Sequence, residues 1–346
     1  MRSDTRAART NAITHEPGAA SATHADAIAT VANSPPVRDT DRDTLDARTQ
    51  GVANLEHLPE RDRAALRTLV QFRLLTYHQL RLAAYSTAHP SVTRRRVAQL
   101  VRLGLVSTWE APSRAGGHTR YAIPTPAAVR GMTATLERDT SDAPFAPLVR
   151  LMMPSTTRRA LTLTPTSQPN WLAHQTEVNT LALRWSGAHR LAWASTWDCP
   201  FPSRVASFEL PQPDYVLVEL RAEGPQLVFG EHDRGSEPTE RFIARKALAY
   251  AALASFPEAC AQFFGLATFR VQITITDPLH RTPLQRLREL LVATRRAVGP
   301  DMASQFYFTL AGWLHAAPTD PVWFAANDDP VDVSLNWRDH VGRSVS

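Results

Sequence analysis

The stretch from Trp171 to Ile275 alternates between helical and extended patterns, and this alternation limits the fold more than any other feature of the sequence. Apolar residues recur with helical spacing over 171–185 and 239–254. Short apolar runs bounded by polar residues predict strands at 189–197, 215–220, 227–232 and 268–275. The order helix, three strands, helix, strand is typical of a mixed sheet with helices on its faces. The sequence therefore predicts an α/β (α+β) protein.

Positive charge is concentrated in one segment of the chain. The whole sequence has a net charge of +5, but residues 55–130 hold 12 arginines against 4 acidic residues, a net charge of +8. Residues 1–54 hold 6 arginines against 7 acidic residues, and residues 131–346 hold 20 basic residues against 22 acidic ones. A local positive field of this kind is the electrostatic footprint of nucleic-acid binding. We therefore expect the basic segment to contact DNA.

Three helices are predicted in the basic segment. Pro59 and the apolar spacing after it predict the first helix, because proline suits the first helical turn. Thr76-x-x-Gln79 has the form of a capping box and opens the second helix. Ser91 is the expected N-cap of the third helix, which covers Val92 to Leu103. Short helices joined by tight turns are typical of a helix-turn-helix unit.

A β-hairpin is predicted directly after the third helix. Gly104 ends that helix, and residues 105–109 and 120–123 form two short strands around a loop rich in Pro and Gly. Three helices followed by a basic hairpin predict an N-terminal winged helix-turn-helix domain. We place this domain over residues 55–135.

The exposed face of the third helix carries residue types that contact DNA. Arg95, Gln99 and Arg102 fall together on the face opposite the apolar residues. Arginine pairs with guanine edges and glutamine with adenine edges, so these three residues are candidates for reading bases in double-stranded DNA. Other contacts, mainly to phosphates, are expected from Arg94, Arg96, Arg114, His118 and Arg120. An arginine-rich helix face that is only solvated is the alternative.

Composition divides the rest of the chain into segments. Residues 1–54 have almost no large apolar side chains, so we expect them to be a disordered leader. Pro, Ser and Thr are frequent over 136–170, which predicts a linker. The second domain is expected over 171–315 and a C-terminal tail over 316–346, and no chemistry is assigned to residues 282–346.

Several classes of protein are excluded by what the sequence lacks. Its single lysine, Lys246, is outside any Gly-Lys-Ser/Thr motif, which excludes a Walker-type ATPase or GTPase. No two histidines are close enough in sequence to form a zinc-binding motif. With only Cys199 and Cys260, and no run of about 18 apolar residues, we expect a cytoplasmic protein without a membrane segment.

Three acidic residues stand at the edge of the predicted sheet. Asp214 directly precedes one apolar strand, and Glu231 and Asp233 end the next. If these strands are neighbours, Asp214 and Glu231 converge, and period-two alternation places Asp233 on the side of Glu231. Converging carboxylates are ligands that Mg²⁺ or Mn²⁺ prefers, and such an ion can activate water and stabilise charge on a phosphodiester. Structural ion pairing with Arg234 is the alternative for this acidic run.

Pro213-Asp214 followed by Glu231-x-Asp233, in this order of elements, resembles the PD-(D/E)xK nuclease superfamily. The superfamily pattern has a lysine where this chain has Asp233. Some members supply the lysine from the following helix, where Lys246 lies. The resemblance implies a restriction-endonuclease-like mixed sheet flanked by helices, with Lys246 positioning or deprotonating water, which an always-charged arginine could not do. A surface lysine placed by chance is the alternative.

A wider similarity includes both predicted domains. Together with the winged helix, the motifs that carry it are His174-x-x-Glu177, Pro213-Asp214, the run from Phe229 through Arg234-Gly-Ser to Glu237, and Lys246 with Tyr250. Over about Leu58 to Pro278 the chain resembles the replication-relaxation family of plasmids and integrative elements. Carried over motif by motif, the resemblance implies a catalytic set of Asp214, Glu231, Asp233, Lys246 and Glu177. It implies Asp214, Glu231 and Asp233 as the metal ligands and Glu177 as a helix-borne support.

Two functions from different classes follow. The first is a DNA-binding nickase or endonuclease of a plasmid or integrative element, dependent on Mg²⁺ or Mn²⁺ and acting in replication or mobilisation. The second is an inert accessory or regulatory DNA-binding protein, whose nuclease-like domain binds other replication or mobilisation proteins. The absent Glu-x-Lys lysine favours the second. An acid–base enzyme acting on some other substrate is a third reading, but it leaves the basic segment unexplained.

Overall fold

The computed structural model of the chain describes residues 55, 57–85, 88–112, 117–152, 169–185, 190–194, 204–205, 208–276, 282–316 and 323–327. The expected leader over 1–54, Arg114, part of the expected linker and most of the expected tail lie outside these residues. Within the described part of the chain, no helix has the length and apolar character needed to cross a membrane.

The basic segment folds into helices and a small sheet in the order that its sequence predicts. In chain order the elements are α1 Glu60–Phe72, β1 Leu75–Thr76, α2 Tyr77–Ala84, α3 Pro90–Arg102, β2 Val106–Pro112, β3 His118–Pro124 and α4 Pro126–Asp139. The strands form an antiparallel sheet in the order β1-β3-β2, and β1 is an addition to the predicted hairpin. The capping box of α2 is confirmed, because Thr76 and Gln79 each accept the other's backbone N–H.

The start of α3 differs from the prediction and its end agrees with it. The helix begins at Pro90 with His89 as its N-cap, so the prediction that Ser91 caps the helix is wrong. A proline at the first helical position needs no partner for a backbone N–H, and this lets the helix start before Ser91. Gly104 follows the helix with a φ of 69°, the left-handed conformation that commonly ends helices.

The second sheet is mixed, as the sequence predicts. After residue 185 the strands are β4 Arg190–Ala194, β5 Arg204–Val205, β6 Phe208–Glu209, β7 Tyr215–Arg221, β8 Gly224–Asp233, β9 Phe269–Ile275, β10 Phe306–Leu310 and β11 Phe324–Ala325. Six of them form one sheet in the order β11-β10-β9-β8-β7-β4. Strands β4, β7 and β8 are antiparallel neighbours, whereas β8, β9 and β10 are parallel. Strands β5 and β6 form a separate hairpin.

Helices flank this sheet and bury its central strands. They are α5 Ala146–Met152, α6 Pro169–Trp185, α7 Thr239–Phe242, a π-helix over Ile243–Ala247, α8 Leu248–Ala254, α9 Pro257–Phe264, α10 Pro283–Val298, α11 Pro300–Ala303 and α12 Ala311–Ala316. Val216, Phe229 and Ile273, on three neighbouring strands, are fully buried. The predicted helix over 239–254 is therefore present, but a π-helical turn interrupts it.

Helix α6 connects the basic segment to the second sheet. Gln79 on α2 donates its side-chain amide to the Thr176 carbonyl at 2.7 Å and to the Thr180 hydroxyl at 2.8 Å. Asn179 on α6 donates to the Leu74 carbonyl at 2.5 Å. Residues 47–346 form one compact unit. These amide contacts are one reason, because separation of the two parts would exchange each hydrogen bond for one with water at a net cost of about 1 kcal/mol.

Candidate functional site

Asp214 and Glu231 lie opposite each other at the end of an antiparallel strand pair. Tyr215 on β7 is paired with Gly230 on β8, and the Asp214 N–H donates to the Gly230 carbonyl at 2.9 Å. Asp214 and Glu231 are therefore the next pair along the ladder, and opposed residues point to the same face. Glycine is required at position 230, because a Cβ there would lie 2.0 Å from the Tyr215 ring.

Glu231 is buried against a tyrosine and a lysine. The Lys246 Nζ donates to Oε2 at 2.7 Å, and the Tyr250 hydroxyl donates to Oε1 at 2.5 Å. Burial raises the pKa of Glu231 to about 7, although both of these partners act to lower it. Burial and the charge of Glu231 also raise the pKa of Tyr250 well above its ordinary value. Tyr250 is thereby held as a neutral hydrogen-bond donor to Glu231.

Lys246 reaches the site from the π-helical turn. Lys246 and Tyr250 are four residues apart, and both contact Glu231. The Lys246 side chain is only 18% exposed, and its amine also donates to the Gln212 carbonyl. Burial alone would lower the pKa of Lys246, but the charges of Glu231 and Asp214 outweigh it and raise that pKa. π-Helical turns of this kind occur frequently at functional sites.

Asp214 is held by two histidines. The His174 Nε2 lies 3.1 Å from Asp214 Oδ1, and the His232 backbone N–H donates to Oδ2 at 2.7 Å. The rings of His174 and His232 are stacked, with their centroids 5.5 Å apart. Burial disfavours the charged form of both His174 and Asp214. Their hydrogen bond nevertheless raises the pKa of His174 and lowers the pKa of Asp214, so the pair favours its ionic form.

Glu177 supports the end of β8 from α6. Its Oε2 lies 3.0 Å from His232 Nε2 and 3.1 Å from Arg234 Nε. Burial acts to raise the pKa of Glu177, but the hydrogen bond from His232 and the charge of Arg234 lower it overall. Glu177 thus contacts the residues beside Glu231 and orients His232, whose backbone N–H binds Asp214.

Asp233 has a different environment from Glu231, although both are on β8. Arg286 on α10 donates through Nε to Asp233 Oδ2 at 2.8 Å and through Nη2 to Oδ1 at 3.4 Å. The same guanidinium donates to the Glu237 carbonyl and to the Thr239 hydroxyl. The Asp233 carboxylate therefore fixes α10 and the loop after β8, instead of joining Asp214 and Glu231.

The predicted metal ligands fit a divalent cation only in part. Among the residues that the structure describes, no three His, Cys, Asp or Glu side chains are grouped so as to hold a metal ion. Asp214 and Glu231 present two carboxylates on one face, and Mg²⁺ is commonly held by one or two carboxylates together with water and substrate phosphates. Asp233 does not fit, because Arg286 contacts both of its oxygens. The geometry is compatible with a two-carboxylate site.

These residues line one cleft of about 370 Å³. Charged and polar side chains dominate its walls, and the residues that line it are His174, Asp214, Glu231, His232, Asp233, Arg234, Ser236, Glu237, Arg241, Phe242, Arg245 and Lys246. The structure therefore brings four of the five predicted catalytic residues to one cleft. The fifth, Glu177, contacts the cleft wall through His232 and Arg234.

The candidate DNA-binding arginines divide into exposed and engaged residues. Arg94, Arg95 and Arg102 are exposed on α3. Arg96 donates to Asp62 on α1, which is completely buried and also accepts the Tyr85 hydroxyl at 2.8 Å. Arg96 therefore holds α3 against α1, and its guanidinium is committed to the fold.

The remaining DNA-binding candidates lie on α3 and on the hairpin. Gln99 is half-buried, and its amide oxygen accepts from Arg96 at 3.0 Å. His118 and Arg120 are exposed on β3, where Arg120 pairs with Glu110 at 2.5 Å. The surface formed by Arg94, Arg95 and Arg102 thus carries most of the unengaged positive charge of α3.

Sequence reasoning missed four residues that build the site. His174 and His232 lie in the motifs of the family resemblance, but no role was assigned to them. The i, i+3 spacing of His174 and Glu177 was the sequence signal that could have identified His174. Tyr250 carried a similar signal through its i, i+4 spacing from Lys246. Arg286 had no local signal, because it lies 53 residues from Asp233 and meets it only through the packing of α10.

Comparison with known proteins identifies a family that the chain matches. A family model described as replication-relaxation matches residues 66–265, which cover more than half of the chain. The matched range includes α3, the cleft residues up to Lys246, and Tyr250, and it ends before Arg286. No curated protein and no solved structure matches the chain. The family points to a role in replication or mobilisation, which implies involvement with DNA. On this match, the chain belongs to the replication-relaxation family.

Proposed function

We propose that this protein binds double-stranded DNA of a plasmid or integrative element and nicks or cuts it with the help of Mg²⁺ or Mn²⁺. One observation carries the proposal. Asp214 and Glu231 are opposed on neighbouring strands in a cleft, and the chain's single lysine contacts Glu231. Two carboxylates and a lysine in a cleft are suited to hydrolysis of a phosphodiester.

Each polar residue of the cleft has a distinct task in this proposal. Asp214 and Glu231 would hold the metal ion, which when bound supplies an activated water and neutralises charge on the phosphate. Tyr250 fixes one oxygen of Glu231, and His174 fixes one oxygen of Asp214, so neither carboxylate can rotate freely. Lys246 lies beside Glu231, where its ammonium group can orient a water molecule or stabilise negative charge.

DNA binding is assigned to the winged-helix segment and chiefly to α3. Arg95 and Arg102 are exposed on this helix and match the residue types that read guanine edges in a major groove. Arg94, His118 and Arg120, which are also exposed, would contact the backbone. This arrangement uses the segment in which the net charge of +8 resides.

A plasmid assay tests the nuclease proposal. Supercoiled plasmid is incubated with the full chain and Mg²⁺ or Mn²⁺, and conversion to relaxed or linear DNA is measured, with EDTA as the metal control. We expect cleavage by the wild type and by Glu258→Ala, whose acidic side chain is exposed on α9 outside the cleft. Asp214→Ala and Glu231→Ala should cleave at least 100-fold more slowly. Equal cleavage by all four proteins would refute the assignment of the cleft.

A binding assay tests the α3 assignment separately. Arg95→Ala and Arg102→Ala should each weaken DNA binding by about 1 to 3 kcal/mol if they contact base edges. Asp214→Ala should bind DNA nearly as well as the wild type. Unchanged affinity in the triple variant Arg95→Ala, Gln99→Ala, Arg102→Ala would exclude α3 as the DNA-contacting helix.

A second candidate is an inert DNA-binding accessory protein that contacts other replication or mobilisation proteins. A specific observation favours it. All four carboxylate oxygens of Asp214 and Glu231 already contact protein donors, and Asp233 is engaged by Arg286. This candidate predicts that the plasmid shifts on a gel and stays uncut with every divalent metal and every variant.

A further inference from the structure

Three arginines line the cleft, although residues 131–346 are slightly acidic as a whole. Arg241 on α7 and Arg245 on the π-helix lie four residues apart and line the same cleft as Asp214 and Glu231. Arg234 lines it from the end of β8. We call Arg234, Arg241 and Arg245 the cleft rim. Averaging charge over the sequence does not show this grouping of arginines, because it arises only when these elements meet.

One carboxylate serves two of the rim arginines. Glu237 Oε1 lies 3.3 Å from Arg241 Nε and 3.4 Å from Arg245 Nη1. A single negative charge therefore faces two positive charges at this position. The Arg241 and Arg245 side chains are 64% and 61% exposed, whereas Glu237 is only 24% exposed. The positive groups thus extend further into solvent than the acid that pairs with them.

The third rim arginine shares its acid as well. Glu177 Oε2 contacts both Arg234 Nε and His232 Nε2. Arg234 is 26% exposed, so it forms part of the cleft wall more than of the outer surface. Every guanidinium has five N–H donors in a planar fork that suits phosphate oxygens, and the contacts to Glu177 and Glu237 use few of them. The rim can therefore accept an additional anionic partner.

We propose that Arg241 and Arg245, assisted by Arg234, bind the phosphate backbone of DNA at the mouth of the cleft, as a second contact independent of α3. This inference rests on the proposed function, since it requires DNA to enter the cleft. Backbone contacts position a nucleic acid without reading its sequence, and arginine is well suited to that task. The rim would hold a phosphodiester beside Asp214 and Glu231, while α3 contacts the duplex elsewhere.

The salt dependence of DNA binding tests this inference. Anisotropy of a labelled mixed-sequence duplex is measured with the full chain in EDTA, so that no cleavage occurs, over a range of salt concentrations. Each phosphate contact contributes about 0.9 to the slope of log K against log salt. We expect the double variant Arg241→Ala, Arg245→Ala to reduce the slope by about 2 and to weaken binding several-fold at low salt. The double variant Arg241→Lys, Arg245→Lys should keep the wild-type slope, since both positive charges remain.

Matched variants separate this inference from the proposed function. The double variant Arg295→Ala, Arg296→Ala removes two exposed arginines of α10 that do not line the cleft. It should leave the slope unchanged. Suppose that the double variant Arg95→Ala, Arg102→Ala has a lower slope, whereas the double variant Arg241→Ala, Arg245→Ala has the wild-type slope. The rim inference is then overturned, and DNA binding by α3 stands. A wild-type chain that binds no duplex overturns both. Thermal unfolding of each variant checks that it is folded.

Discussion

Glu231 and Asp233 are two residues apart on β8, and their side chains are equally buried at 4% exposure, yet they belong to different clusters. Glu231 contacts Lys246 through one oxygen and Tyr250 through the other. Asp233 contacts Arg286 through both oxygens. Burial does not distinguish these acids, and neither does their position on the strand. What distinguishes them is the cationic side chain that contacts each one, Lys246 for Glu231 and Arg286 for Asp233.

The difference in partner indicates a difference in task. A guanidinium that binds both oxygens of a buried carboxylate, a backbone carbonyl and a hydroxyl joins several segments of the chain. A lysine ammonium is a compact point charge that leaves the second carboxylate oxygen to another donor. We therefore interpret Asp233 with Arg286 as an anchor of the fold, and Glu231 with Lys246 as part of the cleft chemistry.

Removing the arginine should have the largest effect on stability. Arg286→Ala leaves the Asp233 carboxylate buried without its partner, and breaking a buried ion pair on one side typically costs about 3 to 5 kcal/mol. Urea unfolding at pH 7 should show a decrease of this size in the free energy of unfolding. The double variant Arg286→Ala, Asp233→Ala should recover part of the loss, because no charge is then stranded.

Lys246→Ala is the matched change in the other cluster and should cost less. Glu231 can take up a proton when its partner is lost, because burial already raises its pKa to about 7. We expect a decrease of about 1 to 2 kcal/mol. If Lys246→Ala destabilised the protein as strongly as Arg286→Ala, the distinction between anchor and cleft residue would fail.

The pH dependence of stability sharpens the comparison next. Because the pKa of Glu231 is about 7 in the folded protein and 4.5 in its ordinary state, the folded protein keeps a proton that the unfolded chain releases. Its contribution to stability is complete below pH 4.5 and is lost as the pH rises through 7. At 1.36 kcal/mol per pKa unit, the loss is about 3 kcal/mol.

Comparison with Glu231→Gln isolates this titration from those of His174, Glu177 and Asp214. Unfolding free energies of both proteins are measured in EDTA from pH 4 to 8, and the wild type minus variant difference should fall as pH rises. A difference that stays flat would show that the pKa of Glu231 is the same in the folded and unfolded protein, and a difference that rises with pH would show that it is lower in the folded protein.

Loss of the tyrosine hydroxyl should have a small effect on stability, similar to that of Lys246→Ala. Tyr250→Phe removes the donor to Glu231 Oε1 but keeps the buried ring packed against Phe229, so we expect a loss of about 1.5 kcal/mol. Tyr307→Phe, whose ring packs under Arg270 away from the cleft, is the control and should change stability by less. Equal losses of unfolding free energy in the two variants would show that the Tyr250 hydroxyl does not stabilise Glu231.

Most of the fold could be predicted from local sequence patterns. Strands β7, β8 and β9 and the helices around them coincide closely with predicted ranges, because each carries a strong apolar period. The capping box at Thr76 and the helix stop at Gly104 were also predicted from the sequence. The short strand β1 was not predicted, because two residues carry no period and pair only when β3 lies beside them.

The sequence predicted that Asp214 and Glu231 lie close together, but it did not predict the contacts that the cleft residues make. The positions of Asp214 and Glu231 followed from assuming that the two strands are neighbours, which the antiparallel ladder between β7 and β8 supports. The engagement of Arg96 by Asp62 could not be foreseen, since they are 34 residues apart and meet through helix packing. The same holds for the meeting of Arg234, Arg241 and Arg245 at the cleft.

The sequence by itself determined the element order, the basic segment and the acids at the strand ends, because periodicity and residue type act over a few neighbouring positions. Only the tertiary structure decided which cation each acid meets. Glu231 and Asp233 have the same local context, and the choice between Lys246 and Arg286 depends on how the π-helical turn and α10 pack against β8. Such pairings are set by long-range packing and desolvation, and a local pattern carries no record of either.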